Sequence, residues 1–377
     1  MIHLTPLPPA LWQNLPGRSA QVAALELVQA ENSWRALSLS PARTLSSLLC
    51  LLSALALLIV TSTLSTAARW RLIAIIAGSG AATLVIGAAQ IAGGTDSAFR
   101  FYDPDMTWLT GFQANRNSTA DLLLVAMLAL AALVWNLREQ GWQNLLPPLY
   151  AAGLFAGTVP LALALFLTGS RTGLLLLPPV LLLQVLLFQT GKGSNPARIA
   201  APFIAALTTA VIALALLRDN RMIAAVLERF KIEGEFRPEL WRDGLFALGQ
   251  YWPTGSGQGT FVPVMIAAER LEVVDPTLPN RAHNDFLELA IEGGLPALTV
   301  LAAIAAILVR TIWRGRQAGD PSARLQTLFG AAALCVFLLH SLVDYPLRSM
   351  ALAAVAATAA GMLFPAKPAG RGRPGSR

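Results

Sequence analysis

The chain has 377 residues, of which 55% are hydrophobic and only 13% charged, against roughly 25% charged in an ordinary soluble domain. Several stretches run about twenty residues without a charge, enough to span a bilayer core of about 30 Å, so most soluble enzymes are excluded and an integral membrane protein is implied. The formal net charge of +7 does not point to nucleic acid, because no basic run is interleaved with aromatics and basic connections are expected of inner-membrane proteins.

Residues 1–41 show no positively charged region leading into an apolar one, so no signal peptide is read there. Hydropathy then predicts about nine spans, near 42–62, 72–91, 119–137, 148–168, 172–190, 200–217, 286–309, 326–343 and 349–364. The expected architecture is all-α and polytopic. Six transmembrane helices lie within 42–217, a long structured loop within 218–284 and three further helices within 285–364. The last residues, 365–377, are Pro/Gly/Arg-rich and read as a disordered tail. Both cysteines, Cys50 and Cys335, fall in apolar stretches, leaving neither a disulfide framework nor a cysteine metal site.

Alternate connections carry Arg69, Arg71, Arg138, Lys192, Arg198, Arg310, Arg314, Arg316 and Arg324, and the tail adds Lys367, Arg371, Arg373 and Arg377. The only acids facing this set are Glu139 and Asp320. By the positive-inside rule the set is cytoplasmic, which puts the 218–284 loop outside. Nine spans with a cytoplasmic C-terminus also place residues 1–41 outside, as in a longer pattern lacking an odd number of upstream helices.

The outer connections hold the chemistry. GFQANRNSTADLL brings Arg116 to the start of the third span, where Ser118 or Thr119 can cap the helix. LTGSRTGLLLL leaves Arg171 in a tight turn near a helix N-terminus, where guanidinium and backbone N–H groups can both address an anion. In the long loop, RMIAAVLERFKI puts Met222, Ile223, Val226, Leu227 and Phe230 on one face, as in a helix lying at the membrane interface. A second helix is predicted to begin at Pro238 and to carry Arg242. YWPTGSGQGTF alternates Gly255, Gly257 and Gly259, a pattern that reads first as a structural turn and more weakly as an anion loop.

The densest cluster is RAHNDFLELAIEGG, with Arg281, His283, Asn284 and Asp285 ahead of Glu288 and Glu292. The two glutamates share a helical face, and ionisable groups at such depth face a cavity or a partner. The bland alternative is a cap at Asn284 or Asp285 with glutamate–arginine pairs. HSLVDYPLR adds His340, Asp344 and Arg348, His340 reading first as a hydrogen-bond donor in helix packing and second as a titratable group in a cavity. Several guanidiniums suit a multiply charged anion, and a nearby histidine suits proton transfer near neutral pH. No zinc-ligand spacing is present.

ANRNSTA, TGSRTGLLLL, ELWRDGLFALGQYWPTGSGQGTF, RAHNDFLELAIEGG and HSLVDYPLR resemble, in order and spacing, the bacterial O-antigen ligase and O-antigen polymerase family of membrane glycosyltransferases. The resemblance runs from about residue 33 to about residue 350. It implies a helical fold of the GT-C membrane glycosyltransferase type in the bacterial inner membrane, with a metal-independent, cofactor-free site facing the periplasm, and roughly three upstream helices that this chain lacks. By the same resemblance Arg171 and Arg242 hold the pyrophosphate of an undecaprenyl-linked glycan donor and His283 activates the acceptor hydroxyl. The acceptor would be a lipid A core or another glycan. Arg116, Arg281, Asn284, Glu292 and Arg348 are substrate-binding candidates. A transporter or flippase for a lipid-linked sugar is the competing expectation, disfavoured because the central spans are mostly Leu, Ala, Val and Ile and the charges collect at one face.

Overall fold

The computed structural model describes residues 2–102, 108–140, 147–189, 221–228, 236–274 and 278–366. In chain order its helices are α1 (Pro9–Trp12), α2 (Ser19–Glu26), α3 (Pro41–Thr63), α4 (Thr66–Gly93), α5 (Arg116–Glu139), α6 (Pro147–Leu167), α7 (Arg171–Phe188), α8 (Arg221–Glu228), α9 (Arg237–Tyr251), α10 (Phe261–Ala268), α11 (Asp285–Gly315), α12 (Pro321–His340) and α13 (Met350–Gly361). Two short strands, β1 (Pro6–Leu7) and β2 (Arg35–Ala36), pair antiparallel. Seven helices among the described residues, α3 to α7, α11 and α12, are long and apolar enough to cross a membrane. The protein is therefore an all-α, multi-pass membrane protein. The expected span at 200–217, the end of the interfacial helix at Phe230 and the tail from 367 onward lie outside the described residues.

The chain divides into two compact units. One comprises residues 1–55, 233–309 and 341–350, the other 56–232, 310–340 and 351–377. In the second, α5 is the central helix, with α4, α6, α7 and α12 packed around it. Its apolar run LLLVAMLALAALVW has no polar face, and Leu123 to Ala129 are wholly buried, as expected of a helix hydrophobic all round. Helices α6 and α7 continue through Pro160 and through Pro178 and Pro179. Helix α13 is shorter than the expected span at 349–364. It ends at Gly361, beyond which the buried Arg69 guanidinium donates to the carbonyls of Met362 (3.4 Å) and Phe364 (2.8 Å). The same group donates to the carbonyls of Thr61 and Ser62 at the end of α3. Arg69, expected as a topology charge, thus satisfies the orphan carbonyls of two helix ends.

The first unit is built on the N-terminal segment, α9, α10 and the start of α11. Leu240, Ala247, Phe261, Val264, Met265 and Ile291 form its core. Residues 1–41 fold onto the glycine-rich loop: the Leu39 N–H donates to the Ser256 carbonyl at 2.8 Å, and the His3 ring meets the Thr254 carbonyl at 3.0 Å. The N-terminal segment therefore packs on the glycine-rich part of the long loop.

Helix α11 is not the straight helix that its sequence suggests. Gly294 breaks it with φ 57° and ψ −157°, a conformation that glycine adopts at little cost. The break frees carbonyls that the glycine loop then uses. Ser256 N–H donates to Ile291 O at 3.0 Å, Gly257 N–H to Glu292 O at 2.8 Å, and Leu295 N–H to Pro253 O at 2.9 Å. Gly255, Gly257 and Gly259 all have positive φ. A Cβ on Gly255 would lie 2.5 Å from the Glu292 carbonyl, so the alternating glycines let this loop approach the broken helix.

Candidate active site

His283 lies two residues before the start of α11 and is one of two non-glycine residues with positive φ among the described residues, at 48°. Such a backbone costs roughly 1–2 kcal/mol and persists where its surroundings over-determine it. They do so here. Asn284 caps the helix, its side-chain oxygen accepting from the N–H groups of Phe286 and Leu287 at 3.0 Å each. On the other side, Glu288 accepts from the Arg281 guanidinium at 2.9 Å and from the Ala282 N–H at 3.0 Å. The Trp241 indole N–H donates to the Ala282 carbonyl at 2.9 Å.

The imidazole is fixed as firmly. Its Nδ1 lies 2.9 Å from the buried Asp344 carboxylate, and the rings of Phe236 and Tyr345 meet it edge-on at 5.1 and 4.8 Å. An ionised carboxylate only accepts, so it selects the tautomer that carries the proton on Nδ1. Nε2 is then an acceptor. His283 lines a cleft of about 330 Å³ with Phe236, Glu239, Leu240, Asp243, Asn280 and Arg281. An orienting acid, a histidine and an adjoining cleft make up a general-base arrangement.

Beneath it sits a charged framework. Arg348 reaches Glu292 at 3.2 Å, Glu288 at 3.3 Å and Asp285 at 3.5 Å, while Asp285 also accepts from the Ser341 hydroxyl at 2.9 Å. Glu288 and Glu292 are fully buried. Glu292 Oε1 accepts the Phe261 N–H at 3.0 Å, so the first turn of α10, which follows the glycine loop, holds the protein's own carboxylate. Asn284, Glu292 and Arg348, read from the sequence as substrate-binding candidates, are all committed to protein groups. Among them Glu292 and Arg348 stabilise the platform on which His283 stands.

Arg242 lies on α9, exposed and without a hydrogen bond or ion pair among the described residues. On the same helix Glu239 and the buried Asp243 share the Arg270 guanidinium. The hydrogen bond from Arg270 holds the Glu239 carboxyl below its usual range.

The other two arginines belong to the second unit, where each is the first residue of a helix. Arg116 opens α5 after the Asn115 cap and lies over the Trp108 ring at 5.6 Å. Arg171 opens α7 after the Ser170 cap. The two first turns touch, since a Cβ on Gly173 would be 2.6 Å from that of Ala120. Paired helix N-termini carrying arginines favour anions. One and a half turns into α5, Asp121 contacts the His340 Nδ1 at 2.6 Å, both side chains buried. His340, expected to form a hydrogen bond in helix packing, does so as one half of a buried polar pair.

Sequence reasoning missed Asp344 as the partner of His283 and Asp121 as that of His340. The one local signal was a carboxylate set in an apolar run at a helix end, in LVDYPLR and in TADLLL.

Taken together, the structure is that of a multi-pass membrane protein with a histidine held by a buried carboxylate beside a cleft. A family model described as O-antigen ligase matches residues 156–302, the stretch holding Arg171, Arg242, Arg281, His283, Glu288 and Glu292. This supports assignment to the O-antigen ligase/polymerase family, whose members are membrane glycosyltransferase-like enzymes of surface polysaccharide biosynthesis. No curated protein matches the chain.

Proposed function

We propose that the protein transfers a glycan from an undecaprenyl-pyrophosphate donor to an acceptor hydroxyl at the periplasmic face of the inner membrane, with His283 as general base. The observation that carries this reading is the Asp344–His283 pair at 2.9 Å beside a cleft, with His283 inside the matched segment. His283 Nε2 takes the acceptor proton as the hydroxyl oxygen attacks the anomeric carbon. The bond from that carbon to the pyrophosphate oxygen breaks, and undecaprenyl pyrophosphate leaves with the electron pair. Asp344 stabilises the imidazolium that forms.

Arg171, Arg116 and Arg242 are assigned to the pyrophosphate, Arg242 as an exposed cation and the other two as guanidiniums at helix N-termini. In this reading arginine supplies the charge stabilisation that a metal supplies in other transferases. Arg281 acts by holding the His283 backbone through Glu288, and Asn284 by capping α11. The acceptor is a lipid A core for a ligase or a further glycan for a polymerase.

The test is conversion of a labelled lipid-linked donor by purified protein in detergent, where no second compartment exists for transport. Product bearing the acceptor is expected. Intact donor after prolonged incubation with either acceptor class would refute the reading. A deletion strain separates its two forms: uncapped core with retained lipid-linked chains marks a ligase, and core bearing a single repeat marks a polymerase.

A further inference from the structure

Helix α9 has two faces. Leu240, Asp243, Gly244 and Ala247 are buried, and Leu240 and Ala247 belong to the apolar core of their unit. The opposite face is exposed and changes character along its length. Its first turns carry Pro238, Glu239 and Arg242. Its end presents Leu245, Phe246 and Trp252, which are 60%, 57% and 42% exposed, with the exposed Gly249 between them and Gln250 at the flank. Arg242, Leu245, Gly249 and Trp252 succeed one another at intervals of three or four residues and so form one row. Large apolar side chains grouped in this way mark a surface that meets something other than water.

Helix α11, in the same compact unit as far as residue 309, identifies what they meet. Ile291 to Gly294 are buried, whereas no residue from Leu295 to Arg310 is. In a helix long and apolar enough to cross a membrane, that change marks the level at which the chain leaves protein and enters lipid. The Pro253 carbonyl accepts the Leu295 N–H at 2.9 Å, so the end of α9 is tied to the first lipid-facing residue. Trp252, next to Pro253, is of the residue type that concentrates at the membrane–water boundary. The exposed apolar end of α9 therefore adjoins the lipid-facing surface of α11.

We propose that α9 is seated in the membrane surface, with Leu245, Phe246 and Trp252 among lipid chains and Arg242 at the depth of the headgroups. The seat is read from the fold alone, while the use of Arg242 for the donor pyrophosphate rests on the glycosyl-transfer reading above. Arg242 precedes Leu245 by three residues, about 4.5 Å of helix, and the polar layer on each side of a bilayer is about 5–8 Å thick. At any tilt of α9, immersing Leu245 at the edge of the hydrocarbon leaves the Arg242 backbone within that layer, where lipid phosphates lie. The neighbouring Glu239 is taken up by Arg270; Arg270 chiefly, and Arg242 more weakly, hold the Glu239 carboxyl below its usual range. A lipid-linked pyrophosphate diffusing in the leaflet thus meets the Arg242 guanidinium without leaving the membrane.

The test uses the full-length protein in liposomes, with Cys50 and Cys335 replaced by alanine. Leu245→Cys, Phe246→Cys and Trp252→Cys each carry a nitroxide whose collisions with oxygen and with a water-soluble nickel chelate are read by electron paramagnetic resonance. Val300→Cys on α11 supplies the lipid standard, and Gln317→Cys, in the connection to α12, the water standard. All three labels are expected to favour oxygen as the lipid standard does. Labels that favour the nickel chelate would overturn the proposal, as would labels shielded from both reagents, which would mean that protein covers the face. Should a cysteine variant fail to fold, quenching of tryptophan fluorescence by lipids brominated on their chains is compared between wild type and Trp252→Phe. Wild type is expected to be quenched more, and equal quenching would overturn the seat. For the donor, Leu245→Glu with Phe246→Glu is expected to raise the KM of a lipid-linked donor embedded in the same liposomes at least about tenfold. The apolar pair Leu245→Met with Phe246→Leu is expected to keep the wild-type value, because a bilayer reads apolarity and not shape. An unchanged KM in the glutamate pair would overturn the link between the seat and the donor. No transfer by intact wild type would sink the glycosyl-transfer reading and the donor role of Arg242 with it, whereas the label accessibilities decide the seat in either case.

Discussion

Asp344→Asn isolates what the carboxylate does for His283. The side chain is 4% exposed and its Oδ1 lies 2.9 Å from Nδ1, so the substitution preserves shape while removing the charge that selects the tautomer. An asparagine that turns its NH₂ toward Nδ1 forces the ring proton onto Nε2, where the base is needed. One that turns its oxygen keeps the tautomer but no longer stabilises the imidazolium. Loss of a general base is worth about 10²–10⁴ in rate, or roughly 2.7–5.4 kcal/mol of barrier. We expect kcat for transfer to fall within that range, with the donor KM within about threefold of wild type, because Asp344 is buried and its carboxylate is engaged by His283. Residues acting as one unit are not additive, so adding Asp344→Asn to His283→Ala should cost almost nothing further. Initial-rate assays on detergent-purified variants, matched for thermal unfolding, give all four corners of the cycle. Near-wild-type kcat for Asp344→Asn, or a double variant whose loss is the product of the single losses, would refute the dyad.

Further expectations concern the platform. Arg348→Met strands Asp285, Glu288 and Glu292, two of them fully buried. Breaking a buried pair typically costs about 3–5 kcal/mol, so the thermal midpoint should fall well below wild type, and an unchanged midpoint would contradict the framework role. Gly255→Ala adds a Cβ 2.5 Å from the Glu292 carbonyl at φ 78°; the backbone conformation alone costs about 1–2 kcal/mol, and retained stability would mean that the loop does not pack against the broken helix. Burial lowers the His3 pKa below its ordinary 6.5, so the folded state resists a proton that the unfolded chain accepts. The His3 contribution is therefore present above about pH 6.5 and is lost as pH falls through the lower folded value. His3→Gln should flatten that part of the stability profile measured by thermal unfolding between neutral and acidic pH.

Much of the fold was legible because its signals are local. Apolar runs marked the helices α3 to α7, α11 and α12 with ends within about six residues, Pro238 marked the start of α9, and a cap at Asn284 or Asp285 stood as the alternative to a binding role, which the structure places at Asn284. The site was legible in part. Composition singled out His283 and the outer arginines, since ionisable residues are scarce in this chain. What it could not give was pairing: His283 and Asp344 are 61 positions apart, and His340 and Asp121 are 219 apart. Nothing in either segment encodes which partner the fold supplies. Glu292 shows the converse limit. Its spacing from Glu288 left open a cavity-facing acid or one paired with an arginine, and only the arrival of Arg348 decides for the second. Arg69 behaved likewise, a basic residue at a helix boundary whose actual task, satisfying two helix ends, depends on chain segments almost 300 positions away.

The most direct measurement is a single-turnover assay with purified protein in excess over a labelled lipid-linked glycan donor and saturating acceptor, comparing wild type with His283→Ala at equal folded concentration. Wild type is expected to move label onto the acceptor and release undecaprenyl pyrophosphate in equal amounts. The variant is expected to bind donor with unchanged affinity but to transfer at least about 100-fold more slowly. Transfer by His283→Ala at the wild-type rate would contradict the assignment of this histidine as the base.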